Sequence, residues 1–148
     1  MYYITNKEDF TQLIYIFNGN LCSLHRNEQF RRWLKTFNSQ YKADIKLINR
    51  KVKPSLTTGW LSGFIDAEGH LGGRIKYCRT SKLKKAPHLS FTIAQKELYN
   101  LTFIRDLFVK NNKCISFDKS WEGWRLHIAS FKSLVLVINY LKEFEFKT

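Results

Sequence analysis

Two carboxylates, Asp66 and Glu68, stand at the end of the stretch 56–69, LTTGWLSGFIDAEG, and the chemistry of this chain starts with them. Read as a helix, the stretch puts Trp60, Leu61, Phe64 and Ile65 on one side at three- and four-residue spacing, an apolar stripe. Gly59, Gly63 and Ala67 recur every four residues on another side, with Ser62 beside them. An edge of glycine and alanine admits a second helix backbone at very close range. Each interior glycine costs about 1 kcal/mol against alanine, and close helix–helix contact is what would offset it. Gly69 suits a C-terminal cap. Carboxylates at a helix C-terminus oppose the helix dipole, so stability alone does not put them there. A bound cation would remove the objection.

The second chemistry is cationic. Residues 70–95 contain no acid, while Arg74, Lys76, Arg79, Lys82, Lys84 and Lys85 are all basic. An antiparallel sheet exposes alternate residues on one face, so basic groups on two hairpins can track a nucleic-acid backbone. Such a ribbon fits the major groove of B-DNA, whereas A-form RNA leaves only loops and minor grooves open to it. The candidate contacts are Arg74, Lys76, Arg79, Lys82, Lys84, Lys85, Gln95, Lys113, Lys119 and Arg125. Trp121, at a hairpin tip, either stacks on a base or packs on its own sheet. His25, His70, His88 and His127 show no ligand spacing, so no metal is assigned to them; His70, two residues from Glu68, is a weak phosphate contact.

Composition bounds the rest. The chain has 148 residues and a formal net charge of +13, which points to a polyanionic partner, nucleic acid or an anionic membrane surface. No apolar run is long enough to span a bilayer. Cys22, Cys78 and Cys114, without CxxC spacing, fit a reducing compartment and argue against structural zinc. The first residues show neither a signal nor a transit peptide. Richness in Lys, Asn, Ile, Phe and Tyr is what AT-rich genomes encode, a hint of an organelle-encoded protein of the mitochondrion or another organelle.

These groups need elements to hold them. A short strand-like piece at Tyr2–Ile4 precedes Asn6, a helix N-cap, and Phe10, Leu13, Ile14 and Phe17 follow at helical spacing until Asn18-Gly19-Asn20. A second helix is expected over 27–38, with Phe30, Trp33, Leu34 and Phe37 on one face. Residues 42–53 read as a basic connector closing at Pro54. After the acidic helix come a strand over 70–78, a basic turn over 79–88 and a strand over 89–95. A helix over 96–110, a hairpin around 120–123 and an apolar helix ending at Tyr140 complete the order α-β-β-α-β-β-α.

The run 61–69, LSGFIDAEG, resembles the LAGLIDADG motif of homing endonucleases and intron maturases. Residues 13–21 with Arg26, Gln29, Phe30 and Trp33 resemble the end of the first repeat in two-motif members. The resemblance implies an α+β fold: an αββαββα domain with a four-stranded antiparallel saddle sheet over 55–148, preceded by a mainly helical remnant and linker over 1–54. It implies that two motif helices pack side by side through Gly59, Ser62, Gly63 and Ala67. The acid before the final glycine, here Glu68, would hold a divalent metal, Mg2+ if the protein is active, and Asp66 would serve structural hydrogen bonding. Lys119 or Lys96, with Gln95, would support the cleavage chemistry. Gly72, Gly73 and Arg74 depart from the bulkier residues the family often places after the motif.

Cleavage in that family takes two acids, one from each motif helix. This chain supplies one, so the expectation is a nucleic-acid-binding protein that is non-catalytic as a lone half, binding RNA in an organellar ribosomal or other large ribonucleoprotein. The alternatives are an active site-specific DNA endonuclease, as a homodimer or with a separate partner half, and an intron maturase. No membrane partner is expected.

Overall fold

The computed structural model describes residues 4–50, 52–109 and 112–146. The chain forms two compact units, 1–53 and 54–148.

The first unit is a helix pair, α1 (Lys7–Phe17) and α2 (Leu24–Tyr41). Asn6 caps α1 through the Asp9 N–H, and Ser23 caps α2 through the Arg26 N–H, so α2 begins earlier than the apolar spacing alone indicates, and it runs on to a left-handed C-cap at Lys42. Ile14, Phe30, Leu34 and Phe37 form its core. The segment after α2 is pinned rather than loose. Asn18, buried, accepts from the Ile48 N–H and donates to the Lys46 carbonyl, and Asn38 holds Ile45 the same way. Gly19 sits at φ +77°, where a β-carbon would also strike Ile48 at 2.7 Å. Of the strand-like piece at residues 2–4, residues 2 and 3 lie outside the described residues and Ile4 is in no strand.

The second unit follows the order α3 (Trp60–Glu68), β1 (Gly69–Tyr77), β2 (Lys85–Gln95), α4 (Leu98–Phe108), a 3-10 turn (Asn112–Cys114), β3 (Ile115–Asp118), β4 (Gly123–Ile128) and α5 (Phe131–Glu143). The four strands form one antiparallel sheet in the order β1-β2-β4-β3. Phe91, Ile93, Leu126 and Ile128 turn one face of it into a core with Leu61 and Ile65 of α3, Leu101, Ile104 and Phe108 of α4, and Leu134, Val137 and Tyr140 of α5. Along each strand the alternate residues face away from that core.

Three local expectations change. The motif helix starts at Trp60, so Gly59 is its N-cap and only Gly63 is an interior glycine. Gly59 has no side chain to satisfy the first-turn N–H groups, and Tyr140 of α5 takes over that task. Its buried hydroxyl accepts from the Ser62 N–H at 2.8 Å and donates to the Thr58 carbonyl at 2.7 Å. Gly69 is not a left-handed cap: its backbone is extended (φ −85°, ψ 154°) and enters β1 directly. It must be glycine because a β-carbon would lie 2.5 Å from the Ile65 carbonyl oxygen. Finally, β2 starts at Lys85, inside the stretch expected to be a turn. Pro87 is tolerated because β4 pairs only with Phe91–Gln95, so β2 is an edge strand at its start.

Replacing Tyr140 by Phe should therefore lower stability by about 1–3 kcal/mol, because the buried Ser62 N–H and Thr58 carbonyl both lose their partner. Urea denaturation measures this, and an unchanged midpoint would show that the hydroxyl is not the cap.

Candidate nucleic-acid interface

Register decides which side chains share the open face of the sheet. Phe91 and Ile93 point into the core, so Ala86, His88, Ser90, Thr92 and Ala94 of β2 lie on the open side. Their partners extend the face across β1 through His70, Gly72, Arg74 and Lys76, and across β4 through Arg125 and His127. Ser116 and Asp118 of β3 complete it. Three predicted contacts, Arg74, Lys76 and Arg125, therefore fall together, and all are exposed.

Others do not join them. Lys85 pairs with Tyr77 and shares the parity of Phe91, which puts it on the opposite face. Gln95 shares that parity too and is half-buried opposite Trp124. The period-two alternation of 89–95 already carried this signal. Arg79, Lys82 and Lys84 lie in the turn joining β1 to β2, where Lys84 donates to the Arg79 carbonyl at 3.2 Å. Lys113 sits in the 3-10 turn before β3, and Lys119 in the exposed turn between β3 and β4.

The end of the sheet nearest α3 gathers the expected catalytic groups by topology: Glu68 precedes β1, Gln95 ends β2 and Lys119 follows β3. Glu68 is exposed and Asp66 half-buried. Lys96 is engaged elsewhere, donating to the Trp121 carbonyl with its ammonium 5.6 Å from the centre of the Trp121 ring. Trp121 covers Gly123, where a β-carbon would come within 1.9 Å of the indole. The ring packs on its own hairpin and is not presented for base stacking. Mg2+ asks for an octahedral oxygen shell. Among the described residues no group of three or more His, Cys, Asp or Glu side chains is placed to hold a metal ion. Glu68 offers one carboxylate, so these residues alone do not make a Mg2+ site.

Of the four residues expected at a helix–helix contact, Gly63 and Ala67 of α3 are exposed, and nothing lies within 4 Å of a β-carbon built on Gly63. Ser62 is buried against α5, and Phe144 lies 3.6 Å from the β-carbon position of Gly59. Gly59, Ser62, Gly63 and Asp66 line a groove of about 260 Å3 together with residues 143–146.

Sequence spacing assigns the histidines no metal and offers only His70 as a weak phosphate contact, yet the register brings His70, His88 and His127 onto the open face. Thr92 pairs with His70 on one side and His127 on the other, and its hydroxyl lies 3.1 Å from His127 Nδ1. His88 Nδ1 is buried without a hydrogen-bond partner. Burial first, then the charges of Lys76 and Arg74 and the neighbouring His127, hold the His88 imidazole below its ordinary value of 6.5. Across the sheet, Arg125 meets Asp118 at 3.1 Å. Hydrogen bonds from Ser120, and more weakly Arg125, hold Asp118 below the usual carboxylate range.

An antiparallel four-stranded sheet, with helices on one face and Arg74, Lys76 and Arg125 on the other, and an acid-ended helix leading straight into its first strand, defines an αββαββα scaffold. The family described as LAGLIDADG endonuclease matches residues 61–148, and the chain belongs to it. It is 32% identical over 148 residues to probable intron-encoded endonuclease 4 of Neurospora crassa, covering 99% of this chain and 26% of that protein. It is 32% identical over 123 residues to intron-encoded RNA maturase bI4 of Saccharomyces cerevisiae, covering 83% of this chain and 17% of that one. The archaeal intron-encoded homing endonuclease I-Vdi141I, solved with DNA, superimposes with a TM-score of 0.50 at 27% identity, over 58% of this chain and 54% of its own. The chain thus spans about a quarter or less of the two relatives' length.

The His88 environment is directly testable. Its imidazole should titrate below 6.5 by NMR, and changing both Lys76 and Arg74 to Met should raise the midpoint without fully restoring it. Because the unfolded chain takes that proton more readily, stability should fall as pH drops below about 6.5. A midpoint at or above the ordinary value would contradict the placement.

Proposed function

We propose that this chain is a nucleic-acid-binding LAGLIDADG half that grips duplex DNA through the open face of its sheet and does not cleave alone. The observation that carries the reading is the sharing of one face by Arg74, Lys76, Arg125 and three histidines, with further cations in the turn at its end. A twisted antiparallel ribbon of this kind matches the width of the B-form major groove. Glu68 supplies one carboxylate, and a second acid, with the metal that a pair would hold, has to come from another motif helix. The exposed stretch of α3 around Gly63 and Ala67 is the surface open to that helix, whether from a second copy, a separate half or another part of a longer chain. The Mg2+-dependent endonuclease is then an activity of the completed pair, in which Lys119, exposed at the end of the sheet that holds Glu68, is the supporting lysine.

A second reading, RNA binding within a maturase or a larger ribonucleoprotein, is favoured by the identity to an RNA maturase across 83% of this chain. An organellar origin accords with the composition and with the intron-encoded relatives from two fungi.

Affinity for duplex DNA should fall with salt as counterions are released, with a log–log slope steeper than about −3. Changing Arg74 and Lys76 together to Gln should flatten that slope by about 2, one unit per phosphate contact. Glu68→Gln should leave affinity undiminished. Salt-independent binding would overturn the interface, cleavage by the isolated chain in magnesium would overturn the half-site, and binding confined to RNA would favour the second reading.

A further inference from the structure

The open face is not uniformly cationic, and its chemistry changes from edge to middle. In the order β1-β2-β4-β3, β1 and β3 are edge strands and β2 and β4 are the middle ones. On the open face, Arg74 and Lys76 stand on edge strand β1 beside the two-stranded start of β2, and Arg125 of β4 is tied to Asp118 at 3.1 Å. Where β4 pairs with Phe91–Gln95, the middle carries short groups, Thr92 and Ala94 on β2 and His127 on β4, while Ala86, His88 and Ser90 belong to the two-stranded start of β2. Thr92 and His127 face each other in register, and the 3.1 Å contact between Thr92 Oγ1 and His127 Nδ1 restrains both side chains. Space is kept clear alongside: at Gly72 a β-carbon would lie 3.0 Å from Ser90 Oγ and 3.2 Å from His70 Nε2.

A ribbon lying in a groove meets phosphates with its edges and base edges with its middle. Long flexible cations suit the first task. The second needs short, restrained, directional groups, because a donor that wanders cannot discriminate. We propose that Thr92 and His127 form a base-reading pair in which the Thr92 hydroxyl donates to His127 Nδ1 and His127 Nε2–H donates to a guanine acceptor in the major groove. The inference rests on the duplex-binding reading above. A neutral imidazole has one donor and one acceptor, and the partner of one nitrogen fixes the role of the other. Guanine presents two acceptors, N7 and O6, on its major-groove edge, so a lone Nε2–H finds a partner there. Thr92 is a positioning residue in this arrangement, and His127 is the reader.

The test is selection from a pool of randomised duplex DNA by the 148-residue chain and by its His127→Gln, Thr92→Val and Thr92→Ser variants. The wild-type chain should prefer guanine about tenfold at one position, and His127→Gln should move that position toward adenine, which Gln pairs through N6 and N7. The salt slope and the other positions should stay unchanged, since no phosphate contact is lost. Thr92→Val should relax the preference at that position alone, and Thr92→Ser should restore it. Salt-sensitive binding with an unaltered preference in His127→Gln would overturn the pair while leaving the interface standing. Loss of preference at every position, with a lowered melting temperature, would mean that His127 is only structural. Absence of salt-sensitive duplex binding, or binding only to an RNA pool, would overturn the duplex reading and the pair with it.

Discussion

The junction at Gly69 is the constraint on which the second unit depends. Helix α3 passes into β1 without a loop, and a β-carbon at the junction would lie 2.5 Å from the Ile65 carbonyl oxygen. The helix end and the strand start are therefore fixed to one another. Glu68 is held at one end of the sheet and His70 on its open face, two residues apart along a backbone with little freedom. The other end of α3 is fixed by Tyr140, whose hydroxyl bridges the Ser62 N–H and the Thr58 carbonyl. Leu61 and Ile65 then lock the helix into the core. A carboxylate that stability alone would not place at a helix C-terminus is carried there by anchoring at both ends.

The same sheet does two jobs because its alternation separates them. One parity supplies Phe91, Ile93, Leu126 and Ile128 to the core, and the other supplies the open face. On that face, Arg74 and Lys76 sit on β1, and Thr92 and His127 meet between β2 and β4. The underside of the β1–β2 ribbon is different again: Ile75 and Tyr77 are 73% and 76% exposed, since the ribbon runs beyond the helices that cover the core.

Much of this was legible in the sequence. Helical spacing in 98–108 and 131–143, alternation in β1, and the LSGFIDAEG run together gave the element order and the family before any contact was known. What escaped has a common physical cause, namely partners distant in the chain. Nothing near Gly59 reveals that Tyr140, some eighty residues on, caps the helix. The basic run 79–88 reads as a turn, yet β2 starts at Lys85, and only the sheet order shows that Pro87 falls where β2 is an edge. The three histidines looked unrelated until β1, β2 and β4 were set in register. Lys85 and Gln95 share the parity of Phe91 and Ile93, which the alternation of 89–95 makes readable from the sequence itself.

The central claim is that the open face of the sheet is the surface that meets nucleic acid. Mapping amide NMR shifts during titration with duplex DNA tests it most directly. The account predicts changes concentrated at His70, Gly72, Arg74, Lys76, His88, Ser90, Thr92, Arg125 and His127, and in the turn between β1 and β2, with α4 and α5 unmoved. Changes concentrated instead on α4 and α5, or on the helix pair of the first unit, would contradict it.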